Sequence, residues 1–224
     1  MSELKKIKGY WNTSFNDDFN ENDMWEGSIL SEEDGWFEGI VVDPNSSYTG
    51  DRFIFGVYFP GKVFELYKFT PINISAPFVF HAKQDCLGYT GTLEEIGLFG
   101  PYPFGACHFR VTSMDVNDNP AEQKVIEVEK KKLQERIQEY KDNTMDYVGR
   151  EFYNNAIAQR KSLCKIILAN YEGRKFTSDE VKEIKEECDP ITEKIINSTV
   201  DEAEKIAKKY IYTPSDDGEL PFEI

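Results

Sequence analysis

"WEGSILSEEDGWFEGIVV", Trp25 to Val42, reads as two β-strands joined by a short turn. Trp25-x-Gly27-x-Ile29 and Phe37-x-Gly39-x-Val41 each set an aromatic ring, a glycine and an aliphatic side chain at alternate positions. Alternate positions of a strand share one face. Between the two lies Glu32-Glu33-Asp34-Gly35, where Asp bonds its own backbone and Gly accepts a positive φ. The pattern returns at Tyr89-x-Gly91-x-Leu93. A glycine inside a strand marks tight coiling or the close approach of another group. Here the three either make room for core aromatics or floor a ligand cavity.

Working outward, the same grammar predicts eight strands at about 5–11, 24–31, 35–43, 51–59, 62–69, 77–83, 87–96 and 104–112. The breaks are rich in Gly, Pro, Asn and Asp: EEDG, DPNSSYTG, PG, TPINISAP, KQDC and GLFGPYP. Connections this short hold no crossover helix, so neighbouring strands run antiparallel. Eight short antiparallel strands make a closed barrel or a two-sheet sandwich.

At Asn119-Pro120 the composition changes. Of the 31 aromatic residues, 22 precede that point, and Lys and Glu become dense after it. Asn119 reads as an N-cap with Pro120 at the first helical position. Val125, Val128, Leu133, Ile137, Tyr140, Tyr147, Phe152, Ala156, Leu163 and Ile167 recur mostly at three- or four-residue steps, the period of a helix face. Gly149 is expected to divide this stretch and Gly173 to end it, with Thr177 and Glu180 as a capping box. Asp189-Pro190 is expected to open a last helix with Ile191, Ile195, Thr199, Ala203, Ile206 and Tyr210 in one stripe. The fold class is α+β: an antiparallel barrel or sandwich over residues 1–119, a helical hairpin or bundle over 120–212, and a flexible acidic tail over 213–224.

Gly9-Tyr10-Trp11 resembles the G-x-W signature of calycins, the lipocalin and avidin-like barrels, over residues 1–115. The resemblance implies an eight-stranded up-and-down barrel whose Trp11 closes one end, with Trp25 opening the inward face of the second strand. It also implies a cavity for a neutral or apolar small molecule, lined by Trp11, Trp25, Phe37 and Tyr89. The tail segment Asp216-Asp217-Gly218-Glu219-Leu220-Pro221-Phe222 is similar to the partner-docking C-terminal peptide of bacterial single-stranded-DNA-binding proteins. There the Phe is terminal; here Glu223 and Ile224 follow it.

The formal charge of −15 argues against nucleic acid and anionic membrane as partners. Neither an apolar run of about 18 residues nor an apolar stretch after the N-terminal lysines occurs, so a cytoplasmic protein is expected. The cysteines Cys86, Cys107, Cys164 and Cys188 are too scattered for a disulfide framework.

The chain holds no P-loop, G-x-G-x-x-G, G-x-S-x-G or H-E-x-x-H, which argues against the common enzyme classes. His81 and His108 fall on the polar faces of their strands. With Cys86 and Cys107 they would make a zinc set, but Cys107 and His108 are strand neighbours and point apart. Asp17-Asp18, Glu32-Glu33-Asp34 and Glu94-Glu95 read as solvated turns, and Asp18–Asp23 as an incomplete calcium loop. No catalytic residue, metal or cofactor is therefore assigned. The expected function is a non-catalytic interaction or regulatory protein that dimerises or docks a partner through residues 120–210. The alternatives are a barrel binding a small apolar ligand and an enzyme of unrecognised class.

Overall fold

In a computed structural model of the chain, the structure describes residues 2–14, 19, 23–46, 49–70, 74–97, 100–114 and 120–210. Eight strands follow in order: β1 (Glu3–Asn12), β2 (Met24–Ser31), β3 (Trp36–Val42), β4 (Arg52–Phe59), β5 (Val63–Lys68), β6 (Phe78–Gln84), β7 (Tyr89–Gly97) and β8 (Gly100–Ser113). Each pairs antiparallel with the next, and β1 pairs with β8, from Lys5 opposite Ser113 to Asn12 opposite Ala106. The sheet is thus a closed barrel, and the sandwich alternative falls.

The two barrel ends differ. One is sealed by the tight connections 32–35, 60–62 and 85–88, and the other carries the longer connections 13–23, 43–51 and 69–77. The tight turns follow from their chemistry. Gly35 takes φ 93°, and Asp34 Oδ1 accepts a hydrogen bond from Trp36 N at 3.1 Å. Asp85 Oδ1 accepts from both Leu87 N and Gly88 N at 2.8 Å, so a turn that looked short in sequence is held by one carboxylate.

The face pattern has a backbone cause. A Cβ built at Gly27 would lie 2.1 Å from Ile40 O, at Gly39 2.4 Å from Ser28 O, and at Gly91 1.7 Å from His81 O. These glycines let adjacent strands coil closely. Gly9 serves a ring instead: its Cβ would fall 2.3 Å from Trp25 Cζ2.

Four helices follow: α1 (Pro120–Asn143), α2 (Tyr147–Ala158), α3 (Arg160–Glu172) and α4 (Ser178–Tyr210). The first three lie on the outer wall of the barrel. Ile126, Leu133, Ile137, Tyr140, Tyr153, Ala156, Cys164 and Ile167 form one apolar cluster with Leu4, Leu30, Trp36, Ile40, Phe53, Phe55 and Val57. Ion pairs fasten the layer: Arg136 to Asp51, Lys141 to Glu38, Arg160 to Glu32 and Asp34, and Lys62 to Glu172.

Three helical expectations need correction. Val125 and Val128 are exposed and Ile126 is buried, so the inward face of α1 begins one position away from the expected one. Gly149 lies inside α2, which Asp146 caps by accepting from Gly149 N at 2.7 Å. That glycine is needed because its Cβ would stand 2.2 Å from Ile74 O. Asp189-Pro190 opens nothing: α4 runs through Pro190, forgoing the one hydrogen bond its missing N–H would have given. Gly173 does end α3, with φ 63°, and Thr177 and Glu180 exchange the two bonds of a capping box. The expected N-cap at Asn119 lies outside the described residues.

Gly9→Ala should lower stability by about 1–3 kcal/mol through overpacking against Trp25, and Trp25→Phe should return part of that loss in the double variant. Urea denaturation checks both. A Gly9→Ala protein as stable as the parent would refute the close packing.

Candidate functional site

The inward faces of the strands set the contents of the barrel. Trp25, Ile29, Phe37, Val41, Ile54, Phe64, Leu66, Phe80, Leu93, Cys107 and Phe109 are buried in a second cluster, separate from the one beneath the helices. Phe37 and Phe64 have centroids 5.0 Å apart, Phe64 and Phe109 5.5 Å, and Trp25 and Phe109 5.1 Å. Of the four expected ligand-lining residues, the structure brings Trp25, Phe37 and Tyr89 into this one interior. Their own rings and those of their neighbours occupy the space that an apolar ligand would need. Tyr89 seals the tight-turn end: its ring meets Tyr58 edge-on, and its hydroxyl accepts a hydrogen bond from Gly61 N at 3.0 Å. Trp11 packs half-buried against the edge of the same cluster, beside Phe104, at the end that carries the long connections.

At that same end the interior turns basic. Arg52 and Lys68 are inward-facing and almost wholly buried, 1% and 2% exposed. Both bind Asp43: Lys68 Nζ donates to Oδ1 at 2.7 Å, and Arg52 Nε to Oδ2 at 3.1 Å. Arg52 Nη1 also donates to Gly50 O at 2.6 Å. Two cations thus share one carboxylate. Lys68 Nζ lies 5.1 Å from the ring centre of Trp25, whose buried indole N–H has no hydrogen-bond partner among the described residues. Burial holds the Lys68 ammonium below its usual pKa against the attraction and hydrogen bond of Asp43, and Arg52 adds a smaller repulsion in the same direction as burial. A recess of about 40 Å³ opens beside it, lined by Trp11, Asp43, Lys68, Thr70, Phe78, Phe80 and Leu93. Sequence reasoning missed this cluster. Its signal was present in the alternation, which puts Arg52 in phase with Ile54 and Lys68 in phase with Leu66 and Phe64.

The histidines are outside the barrel, as alternation implies. His81 Nδ1 is 2.9 Å from Glu65 Oε2, and Nε2 is 3.4 Å from Glu94 Oε2. Tyr67 donates to the other oxygen of Glu65 at 3.1 Å. The hydrogen bond that His81 donates to Glu65, with the charges of Glu65 and Glu94, raises the His81 pKa against a smaller burial penalty. With both ring nitrogens facing carboxylates, His81 clamps neighbouring strands together, and its protonated form is the one they favour. His108 Nδ1 meets Thr90 Oγ1 at 3.1 Å.

The imagined zinc set does not assemble, since Cys107 is buried in the interior while Cys86 is exposed on a turn. Burial pushes the Cys107 thiol up, and that of Cys164 up to about 12, so neither is a nucleophile at neutral pH. Glu32 and Asp34 are not merely solvated: they hold Arg160 of α3. Asp17-Asp18, most of the Asp18–Asp23 loop and the tail 213–224 lie outside the described residues.

No protein-family model matches the chain, and neither a curated protein nor a solved structure matches it.

The clamp carries a pH dependence. A raised folded pKa contributes stability that is complete below the unfolded value of about 6.5 and is lost as pH rises through the folded value. Urea midpoints should therefore fall between mildly acidic and mildly alkaline pH, and His81→Gln should flatten that slope. An NMR titration placing the His81 midpoint at or below 6.5 would contradict the clamp.

Proposed function

We propose that the chain is a non-catalytic interaction protein that self-associates through α4. The observation that carries this is the position of α4 relative to the rest of the fold. Val181, Ile184 and Ile191 of α4 belong to neither apolar cluster, whereas α1, α2 and α3 each contribute to the one beneath the helical layer. Polar contacts tie α4 to α2 and α3. Ser162 N and Oγ donate to Glu187, Lys165 pairs with Glu183, and Lys194 lies 3.8 Å from Glu151. The helix has 33 residues, about 50 Å of rise.

The sequence of its second half suits a copy of itself. Ile195, Ile196, Thr199, Val200, Ala203, Ile206, Ala207 and Tyr210 recur at helical spacing. Residues 178–194 carry seven acidic side chains and three lysines, while Lys205, Lys208 and Lys209 cluster in the last turns. Antiparallel pairing about a two-fold axis brings those lysines toward Asp189 and Glu193 of the second copy. The filled barrel and the strapped helices α1 to α3 then act as a rigid mount. The up-and-down order of the eight strands supports reading that mount as calycin-like, and the four free cysteines fit a reducing compartment such as the cytoplasm.

Sedimentation equilibrium in the micromolar range should give twice the 25.9 kDa chain mass, and Ile206→Asp should give the monomer with unchanged circular dichroism. A wild-type monomer across that range would overturn the proposal.

A further inference from the structure

The cluster at the barrel's long-connection end has a chemistry that the assembly reading leaves unused. We propose that Lys68 is a covalent binding site for short apolar aldehydes, which it takes up as an imine.

The geometry meets each requirement of that reaction. A lysine amine is a nucleophile toward carbonyl carbon only without its proton, and two environments favour that form: desolvation among apolar groups and a second cation alongside. Lys68 has both, being 2% exposed with Arg52 bound to the same carboxylate. Free space adjoins the amine, since the recess of about 40 Å³ includes Lys68 in its wall. A cavity of about 10–15 Å³ holds one water, so the recess takes a carbonyl group with a short alkyl chain, any remainder being directed past Trp11. Besides Asp43 and Thr70, the wall is made by Phe78, Phe80, Leu93 and Trp11, a mostly apolar lining that selects an uncharged, apolar carbonyl compound. A carboxylate-bearing one would have to lie against both Asp43 and these rings.

Asp43 supplies the proton transfer. Its Oδ1, at 2.7 Å from Nζ, accepts the ammonium proton and leaves a neutral amine. The nitrogen lone pair then bonds to the carbonyl carbon, and the carbonyl π pair takes the proton back from Asp43 to give a carbinolamine. Asp43 next takes a second proton from the carbinolamine nitrogen and passes it to the hydroxyl, and the C–O bond breaks as the freed nitrogen lone pair forms the C=N bond. The oxygen leaves as water with the two hydrogens that the amine nitrogen loses overall. No oxidant or reductant enters, and the step reverses in water. Arg52 keeps Asp43 in place throughout, through Nε at 3.1 Å. It also repels the protonated form of its neighbour.

The test uses the full chain, propanal at low concentration and cyanoborohydride, which reduces an imine to a stable secondary amine. Near neutral pH exposed lysines, with an ordinary pKa of about 10.4, are almost wholly protonated and react slowly. Peptide mapping by mass spectrometry should find the propyl adduct on Lys68 at least about tenfold faster than on the exposed Lys6 and the half-buried Lys62. The preference should vanish in urea, where all lysines become equivalent. Labelling of Lys68 at or below the rate of Lys6 and Lys62 in the folded protein overturns the proposal. So does a Lys68 preference that survives unfolding, which would reflect local sequence and not the barrel site.

Discussion

An eight-stranded barrel must fill its own inside, and most of this structure follows from that requirement. At this strand number the interior is just wide enough for side chains. The inward rings of Trp25, Phe37, Phe64, Phe80 and Phe109 meet one another at centroid distances of 5.0–6.1 Å. Packing at this density leaves little tolerance. Gly9 has no side chain because Trp25 lies on it, and Gly27, Gly39 and Gly91 have none because the adjacent strand's carbonyl lies where a Cβ would be. The closure of β1 on β8 depends on these positions, since a strand held away from its neighbour cannot complete the ring.

The helical layer answers a second consequence. The outer face of the barrel is not uniform: β4 is buried along nearly its whole length on both faces, whereas outward positions of β1 and β8 carry Lys6, Lys8, His108 and Arg110. Phe53, Phe55 and Val57 would make a large apolar strip on an isolated barrel, and α1, α2 and α3 cover that strip. The ion pairs at its margins, from Arg136 to Asp51 and from Arg160 to Glu32 and Asp34, are largely exposed and add little energy each. Their value is positional, fixing where each helix sits along the barrel.

This division explains what could be read from the sequence. Strands and their turns were legible because their signals are local: alternation within a strand, and Gly, Asp or Pro at each reversal. The antiparallel order followed from the short connections alone. The helical half was less legible because its facing depends on the barrel. Val125 and Val128 fit the helical period as well as Ile126 does, and only the curved wall of Leu4 and Leu30 selects the latter. Pro190 reads locally as a helix start, yet its cost is one hydrogen bond, which a long helix already capped by Thr177 and Glu180 tolerates. The candidate site went unseen for a different reason. Arg52 and Lys68 occupy strand ends, where a basic residue normally turns to solvent, and Asp43 stands just beyond β3. The pairing of β3 with β4 and of β4 with β5 brings the three together.

Stability does not account for that cluster. Taking two cations and a carboxylate out of water costs several kcal/mol per ion, which mutual attraction offsets only with good geometry, and replacement by apolar groups of similar volume is often neutral or stabilising. The interior around Lys68 offers an apolar alternative at once, since Phe80 and Leu93 line the same recess. An aliphatic residue at position 68 would also remove the cation that Arg52 repels. The arrangement therefore differs in kind from the exposed straps of the helical layer, which serve to position. A buried amine, a carboxylate at hydrogen-bond distance and a recess beside them form a reactive set, and the fold holds it at the end of the barrel where the connections are longest.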